Sequence, residues 1–230
     1  MSKNKSYIGI SFIILVFGIL VVPRIVERIK NDDIVKSDRL NIESGNGRNK
    51  NASLYTKGPA PDFSLTDQNG KIITKADYKG KVYVLEFFFS TCPTICPKMN
   101  ANMLKIQDAF FGNRSFGIAS ITINPENDTP DVLKKHAETL GVKSENWHFL
   151  TGKRDYIFDL ANKGFNVYAG QLPNGNNGGF EHSGLFALID KDGNIRSRKD
   201  KDGNPIIYYD GLSDQGVADL EHDIKILLDE

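Results

Sequence analysis

Two cysteines lie close together in the sequence and are the residues best suited to chemistry. Cys92 and Cys96 are the only cysteines among 230 residues, and their spacing is C-x-x-x-C. They lie where an apolar, β-prone stretch gives way to a helical pattern. Free N–H groups in the first turn of a helix stabilise anions, so a thiol placed there ionises more readily. We therefore expect the pair to act as nucleophiles or as ligands of a soft metal.

Less reactive interpretations of the pair stay open on the sequence alone. Both cysteines could be buried and inert, because free cysteine is often buried. A structural disulfide would close only a short loop and would add little stability through chain entropy. However, proline follows both cysteines, at Pro93 and Pro97, in a segment that must join a strand to a helix. This arrangement favours chemistry over packing.

A redox-active dithiol is one functional interpretation. A cysteine pair between a strand and a helix resembles that of thioredoxin-like oxidoreductases, in which Cys92 would be the nucleophile and Cys96 would resolve the mixed disulfide. Those proteins normally have two residues between the cysteines, whereas this chain has three. They also place a proline before the strand that faces the dithiol, where this chain has a predicted loop, Glu181-His182-Ser183-Gly184. A thiol peroxidase is a weaker alternative, since no arginine lies close in sequence to Cys92.

A soft-metal site is the other functional interpretation, with His182 as its third group. Two thiolates and an imidazole form a soft, three-coordinate set that suits copper better than magnesium or calcium. A structural zinc site usually has four ligands, and the sequence offers no further cysteine and no nearby pair of histidines. Copper is therefore the favoured metal, either as Cu(I) or as Cu(II) with an added oxygen donor such as Glu181 or water.

The remaining histidines and two methionines are interpreted as structural. His136, His148 and His222 lie on a predicted helix, a strand start and the polar side of the last helix. We expect them to be surface or core residues rather than ligands. Met99 and Met103 recur at helical spacing, which predicts that they fill the core rather than bind metal.

Alternating strands and helices must position these groups. The pattern predicts an α/β fold with a sheet between helices. Asp128 or Thr129 is expected to cap the helix that begins near Pro130. In chain order the predicted elements are two short strands around the Asn69-Gly70 turn, a strand over 81–89, a helix from about 97, a strand over 115–122, a helix ending at 140, a strand over 147–150, a helix over 155–163, a strand over 185–189 and a helix over 214–228.

Together the motifs resemble the Sco/SenC family of membrane-anchored, thioredoxin-fold copper proteins involved in cytochrome c oxidase assembly. The resemblance runs from Pro61 to the C-terminus and implies a central mixed sheet flanked by helices, with an N-terminal hairpin. It also implies that Cys92, Cys96 and His182 are copper ligands. The chain departs from the family's pattern at two places, which bear on copper affinity and redox tuning. It has Asn124-Pro125 where the family commonly has Asp-Pro, and Glu181 where an aspartate is frequent before the histidine. The resemblance is carried by Phe63-Ser64-Leu65, Cys92-Pro93-Thr94-Ile95-Cys96-Pro97, Asp128-Thr129-Pro130 and His182.

The resemblance implies a copper chaperone that delivers its metal to the binuclear copper site of a cytochrome c oxidase subunit. The alternative is a thiol-disulfide oxidoreductase that reduces the cysteines of a partner protein, with Cys92 and Cys96 as the redox-active pair. Classical enzyme activity is not expected. Lysine plus arginine equals aspartate plus glutamate at 29 each, so the net charge gives no reason to expect a nucleic-acid partner.

An apolar segment near the N-terminus predicts one transmembrane helix. Residues 7–22 are all apolar or small, and with residues 25 and 26 the segment gives about 30 Å of helix. We expect residues 1–30 to be a membrane anchor spanning about 7–26, residues 31–57 a flexible linker, and residues 58–230 the folded domain. Flanking basic residues favour a cytoplasmic domain. The cysteine chemistry instead suits the outer side of the cell membrane, where we place the domain.

Overall fold

The computed structural model describes residues 11, 15–17, 22–23, 54–172 and 176–230. The chain divides into two compact units, residues 1–50 and residues 51–230. In the first unit the described residues are helical. Within the described parts of the chain, no helix combines the length and the hydropathy that a membrane span requires. Most of the predicted anchor and linker lies outside the described residues.

The second unit is built on a mixed sheet, in which nine strands are described. Their order is β1-β10-β9-β4-β5-β6-β2-β3, with β11 paired to β9. Strands β4, β5 and β6 run parallel, and the other pairs are antiparallel. A separate two-stranded hairpin is formed by β7 and β8. The strands are β1 (Tyr55–Pro59), β2 (Ser64–Asp67), β3 (Ile72–Thr74), β4 (Val82–Phe88), β5 (Phe116–Thr122), β6 (Trp147–Thr151), β7 (Ala169–Gln171), β8 (Phe180–His182), β9 (Leu185–Ile189), β10 (Asn194–Ser197) and β11 (Tyr209–Asp210).

Helices flank this sheet, which confirms the predicted mixed α/β architecture. Antiparallel β2 and β3 form the predicted N-terminal hairpin around the Asn69-Gly70 turn. The first strand, β1, begins three residues before Gly58, where we expected the folded domain to start. The helices are α1 (Cys96–Ala109), α2 (Pro130–Leu140), α3 (Arg154–Asp159), which continues into a π-helical turn (Leu160–Phe165), and α4 (Asp214–Asp229), with short 3₁₀ turns at Lys75–Tyr78 and Asn176–Gly179.

The core lies around the central parallel strands. Every residue of β4 and of β5 is buried, as expected for strands covered on both faces. Met99 and Met103 of α1 are completely buried, so the prediction that they fill the core is confirmed. The β-branched and aromatic residues of β4 favour an extended conformation and also supply much of this core.

The strand directions bring three distant segments to one edge of the sheet. Because β4 and β5 are parallel, the loops that follow them leave from the same edge. Strand β9 is antiparallel to β4, so the turn that precedes β9 lies at that edge as well. The topology therefore places the segment after β4, which carries both cysteines, near the turn that follows His182.

Three local predictions need correction. Thr129 is the N-cap residue of α2, but its side chain makes no capping hydrogen bond, and Asp128 bonds to other partners described below. The helix predicted over 155–163 is a short α-helix that widens into a π-turn, where Gly164 packs against Pro61. His182, expected in a loop, ends strand β8, because residues 180–182 pair with β7.

Candidate metal centre

The fold brings the two predicted thiols and the predicted imidazole together. The ligand atoms of Cys92, Cys96 and His182 all lie within 4.8 Å of one another. Their exposed fractions are 8%, 2% and 5%, and both cysteines are free thiols. Cys96 Sγ and His182 Nε2 lie 3.1 Å apart, although these residues are 86 positions apart in sequence.

The junction between β4 and α1 places the two sulfurs. Cys92 lies in the turn after β4, where its N–H donates to the carbonyl of Phe89 at 3.2 Å. Cys96 is the first residue of α1, and Pro97 follows at a position where a missing N–H costs nothing. The N-cap residue Ile95 provides no side-chain capping bond. The first turn of α1 therefore keeps N–H groups that favour a negative charge nearby.

The two thiols differ in acidity. Burial opposes ionisation of Cys92, but hydrogen bonds to its sulfur, including those from the backbone N–H groups of Cys96 and Thr94, outweigh it and lower the pKa to about 6. Burial raises the pKa of Cys96, and the nearby Cys92 and Glu86 raise it further. At neutral pH the site therefore holds one thiolate and one protonated thiol.

The imidazole presents its lone pair to the sulfurs. His182 Nδ1 lies 3.1 Å from the carbonyl oxygen of Ser183, which can only accept, so Nδ1 carries the proton. Nε2 is then unprotonated and can accept a hydrogen bond from the Cys96 thiol or bind a metal. The ring also packs edge-on against Phe89, with the ring centroids 5.9 Å apart, which restricts its orientation.

The spacing of the donors fits a soft metal ion. Bonds of about 2.0 Å to nitrogen and 2.3 Å to sulfur in a trigonal arrangement separate the donors by about 3.7–4 Å. In the structure one separation is 3.1 Å and none exceeds 4.8 Å. Small side-chain shifts would therefore bring them to ligand distances. Two sulfurs and one nitrogen form a donor set that selects copper over magnesium or calcium.

Asp128 stabilises the backbone between β4 and Cys92 through hydrogen bonds. It is completely buried and accepts hydrogen bonds from Ser90 N at 3.0 Å and Asn127 Nδ2 at 2.8 Å. The hydroxyls of Ser90 and Thr122 also donate to it. Asp128 thus ties the turn after β4 to the end of β5. The local sequence pattern indicates Asp128 only as a helix cap, because it carries no signal of a partner 38 residues away.

Glu86 is a buried carboxyl group that the sequence analysis treated only as part of a strand. It accepts a hydrogen bond from Ser120 Oγ at 2.7 Å, and Trp147 Nε1 donates to the same hydroxyl at 2.9 Å. Burial raises the pKa of Glu86 to about 7, and the hydrogen bond from Ser120 offsets part of this rise. An acidic residue inside an otherwise apolar strand was the available signal.

The other predicted polar residues lie apart from the three donors. Glu181 is exposed because side chains alternate along β8, with Phe180 and His182 buried, so the structure does not bring it to the site. His136 stacks on Phe88, with the ring centroids 5.6 Å apart. His148 lies 3.4 Å from Asp67 and His222 lies beside Asp223.

Comparison with known proteins identifies one family. The SCO1/SenC family model matches residues 52–214. A SCO1 protein homolog from Bacillus subtilis is 33% identical over 165 residues, which are 71% of this chain and 79% of that protein. The matched region includes all three donor residues.

Two solved structures extend this likeness to the fold. BsSco, described as a member of the Sco family of cytochrome c oxidase assembly proteins with a disulfide switch, has a TM-score of 0.62 and 30% identity. That match covers 75% of this chain and 95% of BsSco. Yeast Sco1 with copper bound has a TM-score of 0.54 and 26% identity, and the match covers 73% of this chain and 88% of the yeast chain.

Proposed function

Because this chain belongs to the SCO1/SenC family, we propose that it binds copper through Cys92, Cys96 and His182 and delivers it to the binuclear copper centre of a cytochrome c oxidase subunit. The observation that carries the proposal is the convergence of two sulfurs and an unprotonated imidazole nitrogen within 4.8 Å. The copper-bound yeast relative and the description of BsSco as an oxidase assembly protein support both the cargo and the destination.

The unequal thiols suggest how copper enters the site. Cys92 is the most exposed of the three donors and the more acidic thiol, so it is the first ligand that an incoming ion meets. Cys96 must then lose its proton, which makes copper binding release a proton. His182 Nε2 completes the set. Delivery would reverse these steps as ligands of the recipient replace those of the carrier one at a time.

Copper binding is tested directly by metal analysis. The full-length chain is reduced, given Cu(I), desalted and assayed for metal. We expect one copper per chain, and we expect Cys92→Ser, Cys96→Ser and His182→Ala to lose it. His222→Ala, which changes an exposed histidine, is the matched control and should retain copper. A wild-type chain that retains no copper, or site variants that retain as much as the control, would contradict the proposal.

The proposal places the domain outside the cell membrane, attached by a single span over residues 7–26 and a linker over residues 31–57. The apolar sequence of that segment supports it, and so do the described helical residues within it. A topology reporter fused after Glu230 should be active only on the outer side. A cytoplasmic signal would overturn this placement.

Thiol-disulfide exchange is a second candidate function, favoured by the difference between the thiols. A lowered pKa suits Cys92 as nucleophile, and the protonated, more buried Cys96 suits a resolving role. His182→Ala separates the two candidates. Under copper delivery, copper retention collapses in this variant. Under thiol-disulfide exchange, the wild-type chain reduces a model disulfide and the variant still does so.

A further inference from the structure

A buried amide lies on the same helix as Cys96. Asn102 is completely buried in α1, and its Nδ2 donates to the carbonyl oxygen of Gly211 at 2.8 Å. Its Oδ1 is also buried but has no hydrogen-bond partner among the described residues. A half-satisfied buried amide costs stability compared with an apolar side chain of similar size. Packing therefore does not account for an asparagine at this position.

The acceptor of that bond touches the turn that follows the histidine. Gly211 N donates to the carbonyl oxygen of Gly184 at 2.8 Å. A Cβ at Gly211 would lie 2.8 Å from the Phe186 ring, and a Cβ at Gly184 would lie 2.7 Å from Leu212. A Cβ at Gly211 would also lie 3.0 Å from the carbonyl oxygen of Gly184, so a side chain at Gly211 would crowd this contact. The bond joins the segment at Gly211 directly to the backbone two residues after His182.

The same turn holds the imidazole. The carbonyl of Ser183 accepts the hydrogen bond from His182 Nδ1 at 3.1 Å, and Ser183 N donates to the carbonyl of Tyr168 at 3.1 Å. The turn at 183–184 is therefore attached on one side to the segment before β7 and on the other side to Gly211. The second attachment leads through Asn102 to α1, the helix that begins with Cys96.

We propose that Asn102 is a positioning residue for the metal site, acting on His182 through Gly211 and Gly184. One helix then carries a metal-binding thiol and also anchors the turn that holds the imidazole, which fixes the separation of Cys96 Sγ and His182 Nε2. The inference rests on the proposed copper function for its effect on binding, but the placement of the imidazole can be tested without metal.

The experiment compares two leucine substitutions in the full-length chain. Asn102→Leu keeps the number and branching of the side-chain heavy atoms and removes the bond to Gly211. Gln107→Leu is the matched control, because Gln107 is also buried on α1 and its Oε1 accepts from Lys143 N at 2.8 Å and Ser144 N at 3.1 Å. Those bonds tie α1 to the segment after α2 rather than to the histidine turn. Asn102→Asp provides a second test, since it preserves the shape but replaces the donor with an acceptor.

Each variant is characterised by three measurements. They are the ¹⁵N signals of the His182 imidazole in the reduced, metal-free chain, the Cu(I) affinity by competition with a chromophoric chelator, and the sulfur-to-Cu(II) absorption band. We expect Asn102→Leu and Asn102→Asp to shift the imidazole signals and the absorption band and to weaken Cu(I) binding about tenfold or more. Gln107→Leu should lower the unfolding temperature and leave all three readouts as in the wild type.

The outcomes separate this inference from the proposed function. Wild-type imidazole signals in Asn102→Leu, or an equal shift in Gln107→Leu, would overturn the positioning role. If Asn102→Leu fails to fold, the same decision is made on Asn102→Asp. If the imidazole signals shift as expected but the wild-type chain binds no copper, the positioning role stands and the copper function falls.

Discussion

The two halves of the candidate metal centre are held by different kinds of structure. The cysteine side, which we define as β4, the turn at 89–95 and α1, grows out of the middle of the main sheet. All seven residues of β4 are buried and pair with β5. The histidine side, which comprises the β7–β8 hairpin and the turn at 183–184, is a two-stranded unit with three paired positions. Tyr168, beside it, is 54% exposed.

This difference indicates that the cysteines and the histidine are held in place with unequal stability. A small two-stranded hairpin has little stability of its own, whereas a central strand opens only when the domain unfolds. We therefore expect the sulfurs to keep their positions, and the imidazole to keep its position only while the turn at 183–184 stays attached to Gly211. Substitutions of supporting residues on the cysteine side, other than Asn102, should mainly change folding stability, and those on the histidine side should mainly reduce metal retention.

The largest loss of stability is expected from Asp128→Asn on the cysteine side. The change removes the negative charge that accepts from Ser90 and Thr122, and we expect the free energy of unfolding to fall by about 3 kcal/mol in chemical denaturation. Asp131→Asn is the matched control, because Asp131 is exposed in the first turn of α2 and should contribute less than about 1 kcal/mol. Equal losses of unfolding free energy in the two variants would contradict a special role of Asp128 in the stability of the cysteine side.

A pH-dependent effect is expected from Glu86→Gln. The pKa of Glu86 is raised to about 7 in the folded chain, so burial of this group favours folding at low pH and becomes unfavourable as pH rises from about 4.5 to 7. Glutamine keeps an acceptor for Ser120 and does not ionise. Relative to wild type, the variant should therefore gain about 2–3 kcal/mol of stability between pH 5 and pH 8. Exposed Glu181→Gln serves as control, and a stability difference that does not change with pH would show that Glu86 does not titrate.

The smallest effect on folding is expected from His182→Ala on the histidine side. The change removes the hydrogen bond to Ser183 and the contact with Cys96, so the free energy of unfolding should fall by about 1–2 kcal/mol. Copper retention should nevertheless collapse. A stability loss as large as that of Asp128→Asn would mean that the histidine side is as much a part of the core as the cysteine side.

The sequence predicted the cysteine side well because its signals are local. Nine consecutive residues before the cysteine turn are mostly β-prone and apolar, and Pro97 with Met99 and Met103 indicates the helix that follows. The position of His182 just before strand β9 was also correct, since the strand over 185–189 has the same pattern. These elements sufficed to predict a sheet between helices, whereas the mixed sheet and the ligand set of Cys92, Cys96 and His182 were what the resemblance to the Sco/SenC family implied.

The histidine side and the supporting residues were not predicted, because their signals are not local. The Gly- and Asn-rich stretch over 173–179 indicates a loop, while the pairing of β7 with β8 depends on residues on both sides of it. The bonds of Asp128 to Ser90 and of Asn102 to Gly211 join residues 38 and 109 positions apart. Periodicity and capping patterns carry no information on such contacts.

The most direct test of the central claim is X-ray absorption spectroscopy on the full-length chain carrying one Cu(I). We expect two sulfur neighbours at about 2.3 Å and one nitrogen at about 2.0 Å, with the nitrogen lost and both sulfurs retained in any copper that His182→Ala still holds. A spectrum with only one sulfur, or with nitrogen and oxygen neighbours alone, would contradict it.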